Sequence, residues 1–171
     1  MEIKAIDFIL TRRSIRKYTS KLIDDKTINL LIEAGSYAPS ANNFQPWHFI
    51  VITKRQILDQ LSVVHPYAKM LKQAPLAILV CGDNDAQPIL GYQAVDCSAA
   101  TQNILLAVHA LGLGGVWLGV YPREQRMKDI KEFLQLPENI NPISLISIGH
   151  PAEEIKHPER FNKEKTHLNK W

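Results

Sequence analysis

Ile104-Leu105-Leu106-Ala107-Val108-His109-Ala110-Leu111-Gly112-Leu113-Gly114-Gly115-Val116-Trp117-Leu118-Gly119-Val120-Tyr121 (residues 104–121) is the stretch on which the fold turns. Its first half is apolar on nearly every side of a helix, so a segment spanning 88–111 is expected to be a central buried helix or an interface helix. Gly112 and Gly114 would end that helix, and the β-branched and aromatic run at 116–121 reads as a strand. The glycine cluster invites a dinucleotide-binding reading. That fingerprint, however, follows a strand and opens a helix, so that pyrophosphate meets the helix N-terminus. Here the order is reversed, and the glycines read as a cap and a tight turn. Gly119, inside the strand, is a place where a ligand can approach the backbone closely.

Outward from this stretch, helical and strand-like segments alternate. Runs at 47–53, 76–81 and 143–148 read as further strands, the first with little alternation, as expected of a strand covered on both faces. Thr53 and Gln56 form a capping-box pattern for the helix after the first of these. Upstream, acidic residues from Asp24 open a helix with Ile28, Leu31, Ile32 and Gly35 on one face, which stops before Pro39. Ile3, Ile6, Ile9 and Leu10 recur at helical spacing at the start. Element order alone describes a layered α/β protein with a largely parallel sheet.

The chain has 171 residues, 46% of them apolar and 22% charged, which suits one globular domain without a second unit. Its 8 glycines and 10 prolines exclude collagen-like and low-complexity classes. A net charge of +3 is too small for bulk nucleic-acid binding, so no nucleic-acid partner is expected. Apolar runs such as 77–81 and 104–108 are far shorter than the ~20 residues of a membrane span, and the first residues carry no secretory pattern; a cytoplasmic, non-membrane protein is expected. Cys81 and Cys97 show no CxxC or metal spacing and read as buried thiols in a reducing compartment. The six histidines form no ligand pattern, so no metal site is expected. No GxSxG elbow is present, and no local motif marks Cys81 as a nucleophile.

Two clusters carry the functional signal. Arg12-Arg13-Ser14-Ile15-Arg16-Lys17 places three arginines and a hydroxyl within five residues, and the guanidinium fork matches paired phosphate oxygens. The competing reading is a solvated, charged helix end. The loop Pro39-Ser40-Ala41-Asn42-Asn43-Phe44-Gln45-Pro46 offers amides and hydroxyls suited to the edge of a flat heterocycle, with Phe44 and Trp47 as walls. Its competing reading is a turn that satisfies its own backbone.

Taken together, residues 12–18, 38–47 and 111–119, in this order and spacing, resemble the nitroreductase family of FMN-dependent oxidoreductases. The resemblance covers nearly the whole chain, including Lys165-Thr166-His167 and Trp171. It implies an α+β fold, a three-layer sandwich with a mixed, mostly antiparallel sheet between helices, which departs from the parallel sheet that element order suggests. It implies a single domain over 1–171 whose segment at about 151–171 docks on the body or on a partner subunit.

The resemblance further implies a homodimer with shared flavin sites. Arg12, Arg13, Ser14 and Arg16 would hold the phosphate end, with Lys165 or His167 from the tail in support. Pro39, Ser40, Ala41, Asn42 and Asn43 would reach the ring from the other subunit, with Gln45 in the same loop. Trp117 and Gly119 would lie near the ring, where a backbone N–H meets flavin N5. Lys69 matches a flavin-contacting lysine of the family, but the asparagine that family members carry three residues earlier is absent. The family chemistry takes hydride from NADH or NADPH at flavin N5 and passes electrons to nitroaromatics, quinones or a related small molecule by ping-pong turnover, with no side-chain acid or base. A flavin-binding module without turnover, or another flavin reaction on the same fold, is the alternative. Little room follows Asp83 for the helical excursion that covers the site in longer members, which implies a more open pocket.

Overall fold

A computed structural model of the chain describes residues 4–156 and 158–171. Ile3 of the expected first helix, the first residues of the N-terminal stretch and His157 lie outside them.

Among the described residues the sheet has four strands, β1 (Trp47–Ile52), β2 (Leu76–Asp83), β3 (Gly114–Gly119) and β4 (Ile140–Gly149), in the order β1-β2-β4-β3. All three pairings are antiparallel, which corrects the parallel sheet expected from element order. Alternation of helix and strand fixes layers but leaves strand direction open. The parallel element is a single bridge between Ser14 and Gly115.

Side chains alternate across β2 and sort the core into two layers. Ala77, Leu79 and Cys81 face α3 (Arg55–Val64) and α5 (Glu124–Leu134), packing with Leu58, Leu61 and Ile130. Leu76, Ile78 and Val80 face α2 (Asp25–Ser36) and α4 (Leu90–Ala110), packing with Ile28, Leu31, Cys97 and Ile104. The result is the expected sandwich of helices, sheet and helices. Fully buried leucines such as Leu31, Leu61 and Leu79 each contribute about 1.5–3 kcal/mol by leaving water. Both thiols are buried and pushed above their ordinary range by burial, Cys81 to about 12, and Cys97 Sγ donates to the Cys81 carbonyl at 3.4 Å.

Local chemistry explains most boundaries. α2 begins beside Asp24 as expected, and Asp24 is its N-cap rather than part of its first turn, Oδ1 accepting the Thr27 N–H at 2.8 Å. Gly35 lets α2 approach α4, since a Cβ there would stand 3.0 Å from Ile104. The capping box is not formed: α3 starts at Arg55 with Lys54 as its N-cap and no side-chain cap bond, so Thr53 lies outside the cap position. Gly112, at φ 72°, makes the turn after α4, but Gly114 and Gly115 belong to β3, which therefore begins and ends about two residues earlier than the apolar run indicated. A side chain at Gly114 would meet Ile15 at 2.7 Å, so the strand needs glycine where the basic stretch crosses it. β1 lies at an edge and is only partly covered, with His48 and Val51 exposed, rather than buried on both faces.

α1 (Lys4–Thr11) rests on the end of α4 through Thr11 Oγ1 and His109 Nε2, 2.8 Å apart, with Phe8 edge-on to the His109 ring. After β4 the chain runs back along the basic stretch: Thr19 N–H donates to His150, Ala152 N–H donates to Lys17, and Glu153 Oε1 accepts the N–H groups of Arg16 and Lys17. Beyond it, Phe161, Leu168 and Trp171 are exposed, the last completely. No helix among the described residues is long and apolar enough to cross a membrane.

Candidate functional site

β3 is the outer strand of the sheet, and its pairing decides what it offers to a ligand. Antiparallel partners alternate between residues that exchange hydrogen bonds and residues that turn their backbone groups away. Val120 N–H donates to Ile143, so by parity Val116 and Leu118 are the residues bonded to β4. Gly115, Trp117 and Gly119 therefore turn their N–H and C=O groups to the open edge. Ile15 N–H donates to the Gly115 carbonyl at 3.0 Å, as this parity requires.

The remaining open edge borders a cavity of about 630 Å³, within the usual range for cofactor sites. Val116, Trp117, Leu118 and Gly119 form one wall, the turn carrying His65, Tyr67, Lys69 and Met70 forms the opposite one, and Arg16 stands at the side. Two cationic side chains and a strip of backbone thus line it, with no carboxylate among the lining residues. A Cβ at Gly119 would meet nothing within 4 Å, so glycine there keeps the space clear rather than relieving a clash. Sequence reasoning named Arg16, Lys69, Trp117 and Gly119, and this cavity brings the four together.

Arg12 and Arg13 line two further cavities of about 380 and 430 Å³, where Glu153 and Glu154 line the first and Glu159 the second. Arg12 is pushed below the ordinary guanidinium range by burial, then by Arg160 and Arg13, so cations converge here. Arg13 Nη1 donates to the Leu10 carbonyl at 2.9 Å, whereas Nε and Nη2 are buried with no hydrogen-bond partner among the described residues. Buried donors without acceptors are costly, and a guanidinium in that condition suits an anionic oxygen. Ser14 lines none of these three cavities; its backbone is bridged to Gly115.

The loop after α2 is ordered by the body of the fold. Asp96 on α4, only 3% exposed, accepts the Ala41 N–H on Oδ1 at 3.0 Å, and Ser40 Oγ accepts the Gln45 N–H at 3.0 Å. Asn42, Asn43 and Gln45 hold φ values of 51°, 57° and 50°, the left-handed region that asparagine tolerates best among residues with a side chain. Pro39, Ser40, Ala41, Asn42, Asn43 and Gln45 line none of the arginine-bearing cavities of their own chain. Lys165 and His167 also stand apart from those cavities, and the His167 ring stacks on Trp171 at 4.2 Å.

Three residues near the site escaped sequence reasoning. Arg160 lies in the charged tail, where nothing marks it. His65 and Arg126 meet at the Gly119 carbonyl: His65 Nε2 is 3.1 Å away, and an Arg126 Nη1 hydrogen bond reaches the same oxygen. Only the fold brings α5 to that point.

The Nitroreductase family model matches residues 9–64 and 59–150. A protein of Methanothermobacter thermautotrophicus, a candidate NADH dehydrogenase/NAD(P)H nitroreductase, is 45% identical over 166 residues, covering 97% of this chain and 87% of the relative. The crystal structure of a protein of the same description from Bacteroides thetaiotaomicron superposes with a TM-score of 0.95 at 42% identity, covering 100% of both chains. A candidate nitroreductase from Desulfovibrio desulfuricans, solved in complex with FMN, gives a TM-score of 0.86 at 32% identity and covers 100% of this chain and 99% of its own. The chain belongs to the nitroreductase family.

Proposed function

We propose that this chain is an FMN-dependent NAD(P)H oxidoreductase, a homodimer with shared flavin sites, passing electrons to a nitroaromatic, quinone or related acceptor by ping-pong turnover. The observation that carries the reading is the cavity along the open edge of β3, where the backbone of Trp117 and Gly119 meets Arg16 and Lys69 without an opposing carboxylate. The FMN bound to the Desulfovibrio relative and the NAD(P)H in the description of the Methanothermobacter relative support the same cofactor and donor here.

When bound, FMN supplies two-electron exchange between a nicotinamide and an acceptor. The residues present fit such a group. Trp117 and Gly119 would offer edge N–H donors to a heterocycle and Lys69 would bring positive charge to it; Arg16, which the resemblance assigns to the phosphate end, lines this cavity instead and would add its charge here. Arg12, Arg13 and Ser14 would take the phosphate, giving the orphaned Arg13 donors their acceptor, with Lys165 or His167 in support. No side chain is required as acid or base at the reacting atom, and protons come from water.

The dimer is part of the same proposal. Pro39, Ser40, Ala41, Asn42, Asn43 and Gln45 line none of the arginine-bearing cavities of their own chain, which suits contact with a site in the second copy. Leu168, at 88% exposure, and the fully exposed Trp171 also suit burial against that copy. Only residues 84–89 separate β2 from α4, too few for a helical cover, which suits a pocket open enough for donor and acceptor to enter in turn.

The test is an anaerobic visible spectrum of the protein supplemented with FMN, before and after NADH and then NADPH. Bleaching of the oxidised-flavin bands is expected. A stable yellow spectrum leaves a binding module without turnover, and failure to retain flavin overturns the reading.

A further inference from the structure

We propose that His65 and Arg126 form a clamp on the Gly119 carbonyl, positioning residues that keep the Gly119 N–H aimed into the cavity. The proposal rests on the flavin reading above for its consequence, but its geometry stands on the chain alone. Glycine at the end of an edge strand has no side chain to hold its orientation and no bonds to β4 at this residue. Within a strand the N–H and C=O of one residue point to the same side, so fixing the carbonyl fixes the amide.

The two donors are arranged for that purpose from two separate elements. Tyr67 N–H donates to His65 Nδ1 at 3.2 Å, which makes Nδ1 the acceptor nitrogen and leaves Nε2–H to donate to Gly119 O at 3.1 Å. His65 is fully buried, and burial, with Arg126 nearby, favours the neutral ring that this bonding pattern needs. Arg126 contributes a charged N–H to the same oxygen, and its guanidinium lies 5.5 Å from the centre of the Tyr67 ring. Tyr67 therefore touches both clamp residues: its amide sets the His65 tautomer and its ring supports Arg126. Gly119 is the point where strand, turn and α5 are tied together at the cavity wall.

The amide so aimed favours an acceptor atom opposite it. Oxidised flavin presents a bare ring nitrogen, whereas the reduced ring carries hydrogen there and competes with the amide. Loosening the clamp should therefore weaken oxidised FMN more than reduced FMN.

The experiment uses His65→Leu, His65→Gln and Arg126→Met in the full chain. Oxidised FMN affinity is expected to fall about tenfold in His65→Leu and Arg126→Met with reduced FMN affinity little changed, which raises the two-electron midpoint potential by about 30 mV. His65→Gln keeps a side-chain donor and should recover most of the loss. A second readout needs no flavin: in the apoprotein, nitrogen NMR should show His65 protonated at Nε2, and the Gly119 amide should show a lower backbone order parameter in both donor-removing variants. Wild-type protein that binds FMN while the variants leave affinity ratio, potential and Gly119 backbone order unchanged would overturn the clamp. Wild-type protein that binds no FMN would sink the flavin reading, and the apoprotein readout would still decide the clamp. Arg126 is only half-buried on α5, so its replacement tests the idea even if the fully buried His65→Leu variant fails to fold.

Discussion

The buried carboxylate of Asp96 on α4 holds the backbone N–H of Ala41 at 3.0 Å across 55 residues of sequence, and so fixes the loop whose asparagines adopt left-handed backbone. Its Oδ2 is buried with no partner among the described residues. Asp96→Ala leaves the Ala41 N–H without its acceptor and should cost about 1–3 kcal/mol in denaturant unfolding. Asp96→Asn keeps an acceptor oxygen and should stay within about 1 kcal/mol of wild type. Equal losses in the two variants would show that charge, rather than the bond to the loop, is what Asp96 contributes.

Two glycines make opposite predictions. A Cβ at Gly82 would stand 2.5 Å from Gln93 Oε1 and 2.7 Å from Gln93 Cβ, in a side chain that itself donates to Asn84 and Gln87. Gly82→Ala should therefore lose about 1–3 kcal/mol of stability. Gly119→Ala meets no atom within 4 Å and should fold within about 0.5 kcal/mol of wild type, yet weaken FMN at least about tenfold by filling the cavity wall. Thermal unfolding and flavin titration on the same samples separate the two effects; full flavin affinity in Gly119→Ala would move the ring away from this wall.

Arg12→Ala should weaken FMN by about 2–4 kcal/mol without unfolding the apoprotein, as expected for a charge-assisted, partly buried contact. If the loop at 39–45 serves the neighbouring subunit, a mixed dimer of Arg12→Ala and Asn42→Ala chains retains one intact site. Binding stoichiometry of the purified heterodimer reads this directly: one tight site supports sharing, and two weakened sites argue that each loop serves its own chain.

Stability should fall on mild acidification. Burial holds both His65 and His109 below the ordinary histidine value of 6.5, with Arg12 and Arg13 adding to the effect at His109. The unfolded chain takes up these protons first, so this contribution is fully present above 6.5 and is lost as pH falls through the depressed folded values. Asp24 and Asp83, whose carboxyls are held below their usual range mainly by backbone N–H donors, act at lower pH, below 3.8. A His65→Gln/His109→Gln double variant should show a flatter melting-temperature profile just below pH 6.5 than wild type; an unchanged slope would assign the acid sensitivity elsewhere.

Much of this architecture is legible residue by residue. The apolar run of α4, the Asp24 cap and the buried β2 follow from periodicity and side-chain chemistry. Strand direction does not, because the same alternation of elements serves parallel and antiparallel sheets. Gly114 and Gly115 read as part of the turn because glycine's commonest signal is a turn. Their use in β3 depends on Ile15 crossing close above the strand, a contact separated by about a hundred residues of chain. For the site, Lys69 and Trp117 rest on the family resemblance, whereas Arg16 and Gly119 also stand out as part of an arginine cluster and as a glycine inside a strand. The meeting of His65 and Arg126 at one carbonyl has no local pattern, since it depends on where α5 packs.

Cys81 and Cys97 lie on opposite sides of the sheet, one in the layer with α3 and α5, the other in the layer with α2 and α4. Each thiol is inert while its own layer stays closed, because burial keeps both protonated and out of reach of reagents. The chain therefore carries two internal stopwatches. Pulsed alkylation followed by peptide mass spectrometry would time the opening of each half of the molecule separately, without any engineered label.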